Sequence, residues 1–185
     1  MVNDIRKTIA ALSLVLAAIL ISCPEGWAMN LTSPDFANGA RLSLVQVNAR
    51  CGGRNRSPAL GWSGAPAGTQ SYALTLFDPD ADGGRGFWHW LVFDIPASAA
   101  GLPEGAGSGT GLPRGAMQAA NDFGDVGYGG ACPPPGSGTH HYEFTLYALG
   151  VAQLPSEATT NGAALAAWLK AHALATASRI ATYSR

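Results

Sequence analysis

Residues 71–96 read SYALTLFDPDADGGRGFWHWLVFDIP. The first seven residues alternate in polarity, and the run 87–95 is rich in aromatic and branched side chains, so both segments read as β-strands. Between them, Asp-Pro, Asp and a run of glycines supply turn chemistry. The stretch predicts two central strands whose connection carries Asp78, Asp80 and Asp82, in a chain only 12% charged. Such a concentration of carboxylates beside a buried-looking histidine, His89, requires a reason.

Working outward, residues 141–149 (HYEFTLYAL) alternate again and predict a third strand. Near the end, Leu165, Trp168, Leu169, His172 and Thr176 recur with helical spacing, and Asn161 stands ready as an N-cap. The tail RIATY predicts a final strand. Glycine- and proline-rich segments separate these elements, and loops of that length in a compact domain line sites more often than they idle. No internal repeat or second domain is evident.

With 185 residues, 47% of them hydrophobic, and 24 glycines and 12 prolines, the chain fits one well-cored, loop-rich domain. A net charge of −1 with scattered cations excludes a nucleic-acid-binding stripe.

At the N-terminus, Arg6 and Lys7 precede the apolar run 9–22, which is shorter than the 18 or so residues a membrane span needs. Residues 1–28 therefore read as a signal peptide cut after Ala28, leaving a periplasmic or secreted domain over 29–185. The alternative is a lipoprotein anchored at Cys23. Either outcome leaves Cys51 and Cys132 as the cysteines of the domain, and export predicts a disulfide between them, with two packed thiols as the alternative.

The aspartates invite a calcium reading, because D-x-D-x-D-G opens an EF-hand loop, but its twelfth position is His89 rather than glutamate and its flanks are strands. Strict alternation along the second strand places His89 on one face with Leu91 and Phe93, against Trp88, Trp90 and Val92. A histidine in such company needs a polar partner. A second imidazole, His140 or His141, opens the strand at 140. If the strands neighbour one another, two imidazoles and Asp78 converge at one sheet end, where glycine-rich loops add backbone donors; such a cluster suits an anion.

Other chemistries have less support. Ser63, Ser108 and Ser137 lie among glycines but none is centred in G-x-S-x-G, and neither domain cysteine adjoins a histidine. His89, His140 and an aspartate lack the spacings of metal motifs, so no metal or cofactor is expected. Arg50, Arg54 and Arg56 flank Cys51 and read as a solvated loop able to meet a carboxylate or anion.

Taken together, SPALGWSGAPAGTQSYALTLFDPDADGGRGFWHWLVFDIPA and LPRGAMQAANDFGDVGYGGACPPPGSGTHHYEFTLYAL resemble the phosphatidylethanolamine-binding protein family, also called Raf-kinase-inhibitor-like, in its bacterial branch. D-P-D, the W-H strand, N-D-F-G, Y-G-G, P-P-x-G and H-x-Y occur in the family's order. The resemblance implies a mainly β fold of two antiparallel sheets with a C-terminal α-helix, and a pocket for phosphate-like or other anionic groups. It implies Asp78, Asp80, His89, Pro134, His140 and Tyr142 as ligand-binding residues, Asp80 bracing its loop. Two departures stand out. Asp82 replaces a proline of the pocket rim and brings a carboxylate that weakens anion binding; His141 replaces an arginine and is sent away from His140, so its cost falls on stability.

The expectation is an exported binding module for a small anionic or phosphorylated group, without catalysis. The resemblance adds a kinase or protease partner to be inhibited, and the homodimers that similar bacterial proteins form. The alternatives are a hydrolase using the His–Asp cluster as general base, for which no nucleophile can be named from sequence, and a scaffold with a vestigial pocket.

Overall fold

A computed structural model describes residues 28–185; the expected signal peptide and the Cys23 anchor fall almost wholly outside these residues. The described chain forms two antiparallel sheets and one α-helix. The larger sheet runs β6–β4–β3–β7–β8, with β3 at Ser71–Asp78, β4 at Phe87–Pro96, β6 at Met117–Gln118, β7 at His140–Leu149 and β8 at Ala173–Tyr183. The smaller runs β1–β2–β5, with β1 at Asn30–Thr32, β2 at Leu60–Ser63 and β5 at Gly101–Leu102. Every strand pair is antiparallel.

Pleating explains how the residues divide. Tyr72, Leu74 and Leu76 of β3 and Tyr142, Phe144 and Leu146 of β7 turn inward with Leu31, Trp62 and Leu102 of the small sheet, making the main core. Ala73, Leu91 and Phe93 turn to the other face and pack under Leu165 and Leu169 of the helix, α1, Gly162–His172. Because β3 is covered on both faces, all but one of its residues are buried, which is why its sequence is so poor in charge.

Asn161 caps α1, its side-chain oxygen accepting from the Ala164 amide at 2.9 Å. Thr176, counted into the helical spacing, belongs instead to β8, where it pairs with Tyr147. The helix ends at His172, whose ring stacks on Trp168 with centroids 4.3 Å apart while Nδ1 meets the Trp168 carbonyl at 2.8 Å. Beyond it, ALATAS extends the expected RIATY strand to eleven residues. A long partner in β7 overrides the helical preference of those alanines.

Two irregularities shape β4. Pairing runs Leu76 with Trp90 and then Phe77 with Trp88, so His89 is an extra residue in a β-bulge. A second shift lies beside Asp94, which adopts φ 53°. The first decides where the histidine points.

Cys51 and Cys132 form a disulfide with Cα atoms 5.6 Å apart, joining the short turn at Ala49–Cys51 to the proline-rich loop before β7. That loop is also braced by Arg185, whose Nε donates to the Pro133 carbonyl at 2.9 Å and whose carbonyl accepts from the Gly136 amide at 3.0 Å.

Candidate functional site

Asp78 is the last residue of β3 and His140 the first of β7, so the two meet where the central strands reach the loop end of the sheet. Asp78 Oδ2 lies 2.7 Å from His140 Nδ1, and both residues are almost wholly buried, at 2% and 4% exposure. The other carboxylate oxygen, Oδ1, accepts from the Asp80 amide at 3.0 Å and fixes the turn. On the far side of the imidazole, His140 Nε2 is 3.0 Å from Ser137 Oγ, itself 2.8 Å from the Pro134 carbonyl.

His89 comes to this group because of the bulge. Alternation places it with Leu91 and Phe93, but the extra residue reverses its face. Leu91 and Phe93 pack under the helix with Trp88, while His89 lies against Tyr142 and Phe123, ring centroids 5.2 and 5.4 Å away. A bulge also frees a peptide from the ladder. His89 uses that freedom to clamp the loop beside it: its carbonyl accepts from the Gly129 amide at 2.8 Å and its Nδ1 meets the Gly129 carbonyl at 2.7 Å.

A carbonyl only accepts, so Nδ1 carries the proton, and in the neutral ring Nε2 is a bare acceptor 3.9 Å from Asp78 Oδ2. Burial pushes the His89 pKa below its ordinary value, outweighing the Gly129 carbonyl and the charges of Asp78 and Asp122 that favour the cation.

Tyr142 stands two residues after His140 on the same face of β7. Its hydroxyl is, among the described residues, the one buried side-chain polar atom without a hydrogen-bond partner. Burial first, and then the charge of Asp78 and a loose contact with its carboxylate, raise its pKa well above the usual phenol value against a weaker pull from the Cys132 backbone, so it stays a donor. Tyr128, also buried, differs: its hydroxyl donates to the Gln46 carbonyl at 2.8 Å.

These groups open onto a cavity of about 570 Å³. Asp78, His89, His140 and Tyr142 form its polar floor, and Phe87, Phe123 and Pro134 are among its walls. The DPDADGG turn is its rim. Gly86 holds that turn at φ 84°, where a Cβ would run into the Phe77 ring. Asp80 borders the cavity but spends its carboxylate on His141, accepting from the backbone amide and meeting Nδ1, each at 2.8 Å. Partial burial raises the Asp80 pKa, yet those bonds and the charges of His141 and His140 prevail and hold it below the ordinary value. Asp82 is bound by Arg85 at 2.7 and 2.8 Å, so the rim carboxylate has a counter-charge. Arg50, Arg54 and Arg56 do not line the cavity; Arg56 pairs with Glu104 at 2.8 Å.

Sequence reasoning passed over three participants. Ser137 lacks the motif of a nucleophile and is marked only by standing three residues before His140. Phe123, inside N-D-F-G, supplies a wall. The Gly129 carbonyl, which sets the tautomer of His89, is a backbone group with no sequence signal.

The two paired ends of the sheet, Phe123 of N-D-F-G and the P-P turn thus close on one cavity, with Gly129 of Y-G-G holding His89 in place. A sequence model described as phosphatidylethanolamine-binding protein matches residues 32–184. The chain belongs to the phosphatidylethanolamine-binding protein family. It is similar to UPF0098 protein YbcL of Escherichia coli, 46% identical over 169 residues covering 89% of this chain and 92% of YbcL. UPF0098 protein YbhB of the same organism is 42% identical, covering 84% of this chain and all of YbhB. The crystal structure of E. coli YbcL superposes with a TM-score of 0.80 at 44% identity, covering 85% of this chain and 98% of that one. As in this family, the fold is two antiparallel sheets with one helix after the last central strand. LppC of Mycobacterium tuberculosis, named a lipoprotein, is 43% identical over 77% of this chain and 67% of its own length; with the Cys51–Cys132 bond, that relative is consistent with export of this phosphatidylethanolamine-binding family member.

Proposed function

We propose that the cavity binds a small phosphate-type group carrying one proton, such as a phosphomonoester monoanion or an equivalent acidic oxyanion. The observation that carries this reading is the Tyr142 hydroxyl, a buried donor at the cavity that among the described residues makes no full hydrogen bond and has only looser contacts with the Asp78 carboxylate and the Cys132 backbone, so a ligand oxygen that accepts from it improves its bonding.

The rest of the floor decides which oxyanion. Asp78 and the bare Nε2 of His89 are acceptors, and among the described residues no arginine or lysine lines the cavity. A dianion would meet Asp78 with no cation of the arginine type to offset the repulsion. A monoanion brings the missing proton: its P–OH donates towards His89 Nε2, while another oxygen accepts from Tyr142. The family's description names a phospholipid, which supports a phosphate-type ligand; the phosphate of that lipid is a diester, so the P–OH that meets His89 belongs to a monoester.

The disulfide and the lipoprotein relative support action outside the cytoplasm, as a soluble domain or one tethered at Cys23. The turn at residues 79–86 and the loop at 133–138 form the rim a protein partner would meet, so occupancy of the cavity and inhibition of an enzyme partner are coupled in this reading. The experiment is a titration with phenyl phosphate followed through the histidine ring proton resonances. Saturable shifts of His89 and His140, stronger at pH 5.5 than at pH 8, support it; resonances that do not move, or that respond to the dianion more strongly, contradict it.

A further inference from the structure

The relay Asp78–His140–Ser137 has the connectivity of a nucleophile, a base and a group that orients the base. Asp78 Oδ2 is 2.7 Å from His140 Nδ1, and His140 Nε2 is 3.0 Å from Ser137 Oγ. Both distances fall within the reach such arrangements use, and they involve opposite nitrogens of one ring, as proton relay demands. The base and the carboxylate are buried, whereas Ser137 is exposed on the rim, where a substrate can approach it. Such a constellation is recognised by geometry rather than by a sequence motif, which is why the absence of G-x-S-x-G does not exclude it.

We infer that Ser137 is a nucleophile activated by His140 and Asp78, able to take an acyl group from a short uncharged ester. This goes beyond anion binding and departs from the expectation of no catalysis, because the structure supplies the nucleophile that the sequence could not name.

The hydrogen bonds define the competent state. With Asp78 accepting from Nδ1–H, the neutral imidazole leaves Nε2 as an acceptor for the Ser137 proton. The Pro134 carbonyl, 2.8 Å from Oγ, competes for that same proton and damps the reactivity of the resting serine. When the serine attacks, its O–H bond breaks, the proton passes to Nε2, and Oγ bonds to the ester carbon. The tetrahedral oxyanion collapses, the bond to the alcohol oxygen breaks, and His140 returns the proton to that oxygen. Water then attacks the acyl-serine, giving one proton to Nε2; the carboxylic acid leaves and Ser137 recovers its proton. The Tyr142 hydroxyl, which makes no full hydrogen bond among the described residues, is a donor of the same cavity that can turn to an oxyanion. Phe87, Phe123 and Pro134 give the acyl group an apolar wall.

The test uses the full chain and two reagents, p-nitrophenyl acetate for turnover and an alkyl fluorophosphonate, which loses fluoride on forming a bond to an activated serine. Wild type is expected to gain one phosphonate mass, mapped to Ser137, and to hydrolyse the ester above background. Ser137→Ala, a change at an exposed hydroxyl, should lose the adduct entirely. His140→Gln should slow labelling by ~100-fold or more, the usual contribution of a positioned base, and Asp78→Asn should slow it with Ser137 still in place. No adduct on wild type, an adduct on another residue, or equal labelling rates in wild type and His140→Gln would overturn the inference.

Discussion

Asp78 and His140 lie 62 positions apart, and their side chains meet at 2.7 Å in the interior, tying the end of β3 to the start of β7. A carboxylate this deeply buried depends on its partner: removing one member of a buried pair leaves an uncompensated group and costs about 3–5 kcal/mol. His140→Ala should therefore lower unfolding stability by about that amount in a denaturant titration. Adding Asp78→Asn should recover part of the loss, because the orphaned charge goes with it. A double variant no more stable than His140→Ala would show that the pair is not coupled.

Tyr142→Phe separates function from stability. Among the described residues the hydroxyl makes no full hydrogen bond and only looser contacts with Asp78 and Cys132, so its removal should change unfolding stability by no more than about 1 kcal/mol. Affinity for phenyl phosphate should fall about tenfold, equivalent to about 1.4 kcal/mol. Isothermal calorimetry and thermal melts on the same samples read both effects.

His89 makes the fold sensitive to mild acid. Its folded pKa is held below the ordinary imidazole value of about 6.5, so the unfolded chain takes up the proton first. Stability from this residue is complete above about pH 6.5 and declines as pH falls towards the lowered folded value, by no more than about 1.4 kcal/mol per unit. Melting temperatures measured without phosphate between pH 7.5 and 5 should fall in wild type and fall less in His89→Gln. Asp80, whose pKa is also lowered, is lost only in the more acidic carboxylate range, which keeps the two effects apart.

The Cys51–Cys132 bond closes a separation of 81 residues, for which the chain-entropy model gives about 4–5 kcal/mol. Reduction should lower the melting temperature and, because Cys132 precedes the Pro133–Pro134 turn of the cavity wall, weaken phenyl phosphate binding as well. A Cys51→Ser, Cys132→Ser variant should reproduce both effects; one that melted like the oxidised wild type would show that the bond contributes nothing.

The strands that build the sheet were legible because their periodicity is a local property: SYALTLF, FWHWLVFDI and HYEFTLYAL are β3, β4 and the body of β7. The face of His89 was not legible, because alternation assumes an unbroken ladder and the bulge is decided by pairing with β3 and by the Gly129 clamp. Thr176 was misread for a related reason, since an alanine-rich segment obeys whichever partner is near, and β7 is near. His141 on the outer side of β7 followed from alternation, but its bond to Asp80 did not, since it depends on how the turn folds back. Motif order placed Asp78, His140 and Pro134 at one cavity; the orphan hydroxyl and the serine relay required side-chain geometry.

In the proposed function the Tyr142 hydroxyl donates to a ligand oxygen while the ligand's own proton turns to His89. A crystal soaked with phenyl phosphate at pH 5.5 tests this arrangement most directly. The expected result is phosphate in the cavity with one oxygen within about 3.2 Å of Tyr142 Oη and another facing His89 Nε2. A phosphate bound elsewhere, or none in the cavity at saturating ligand, would contradict it.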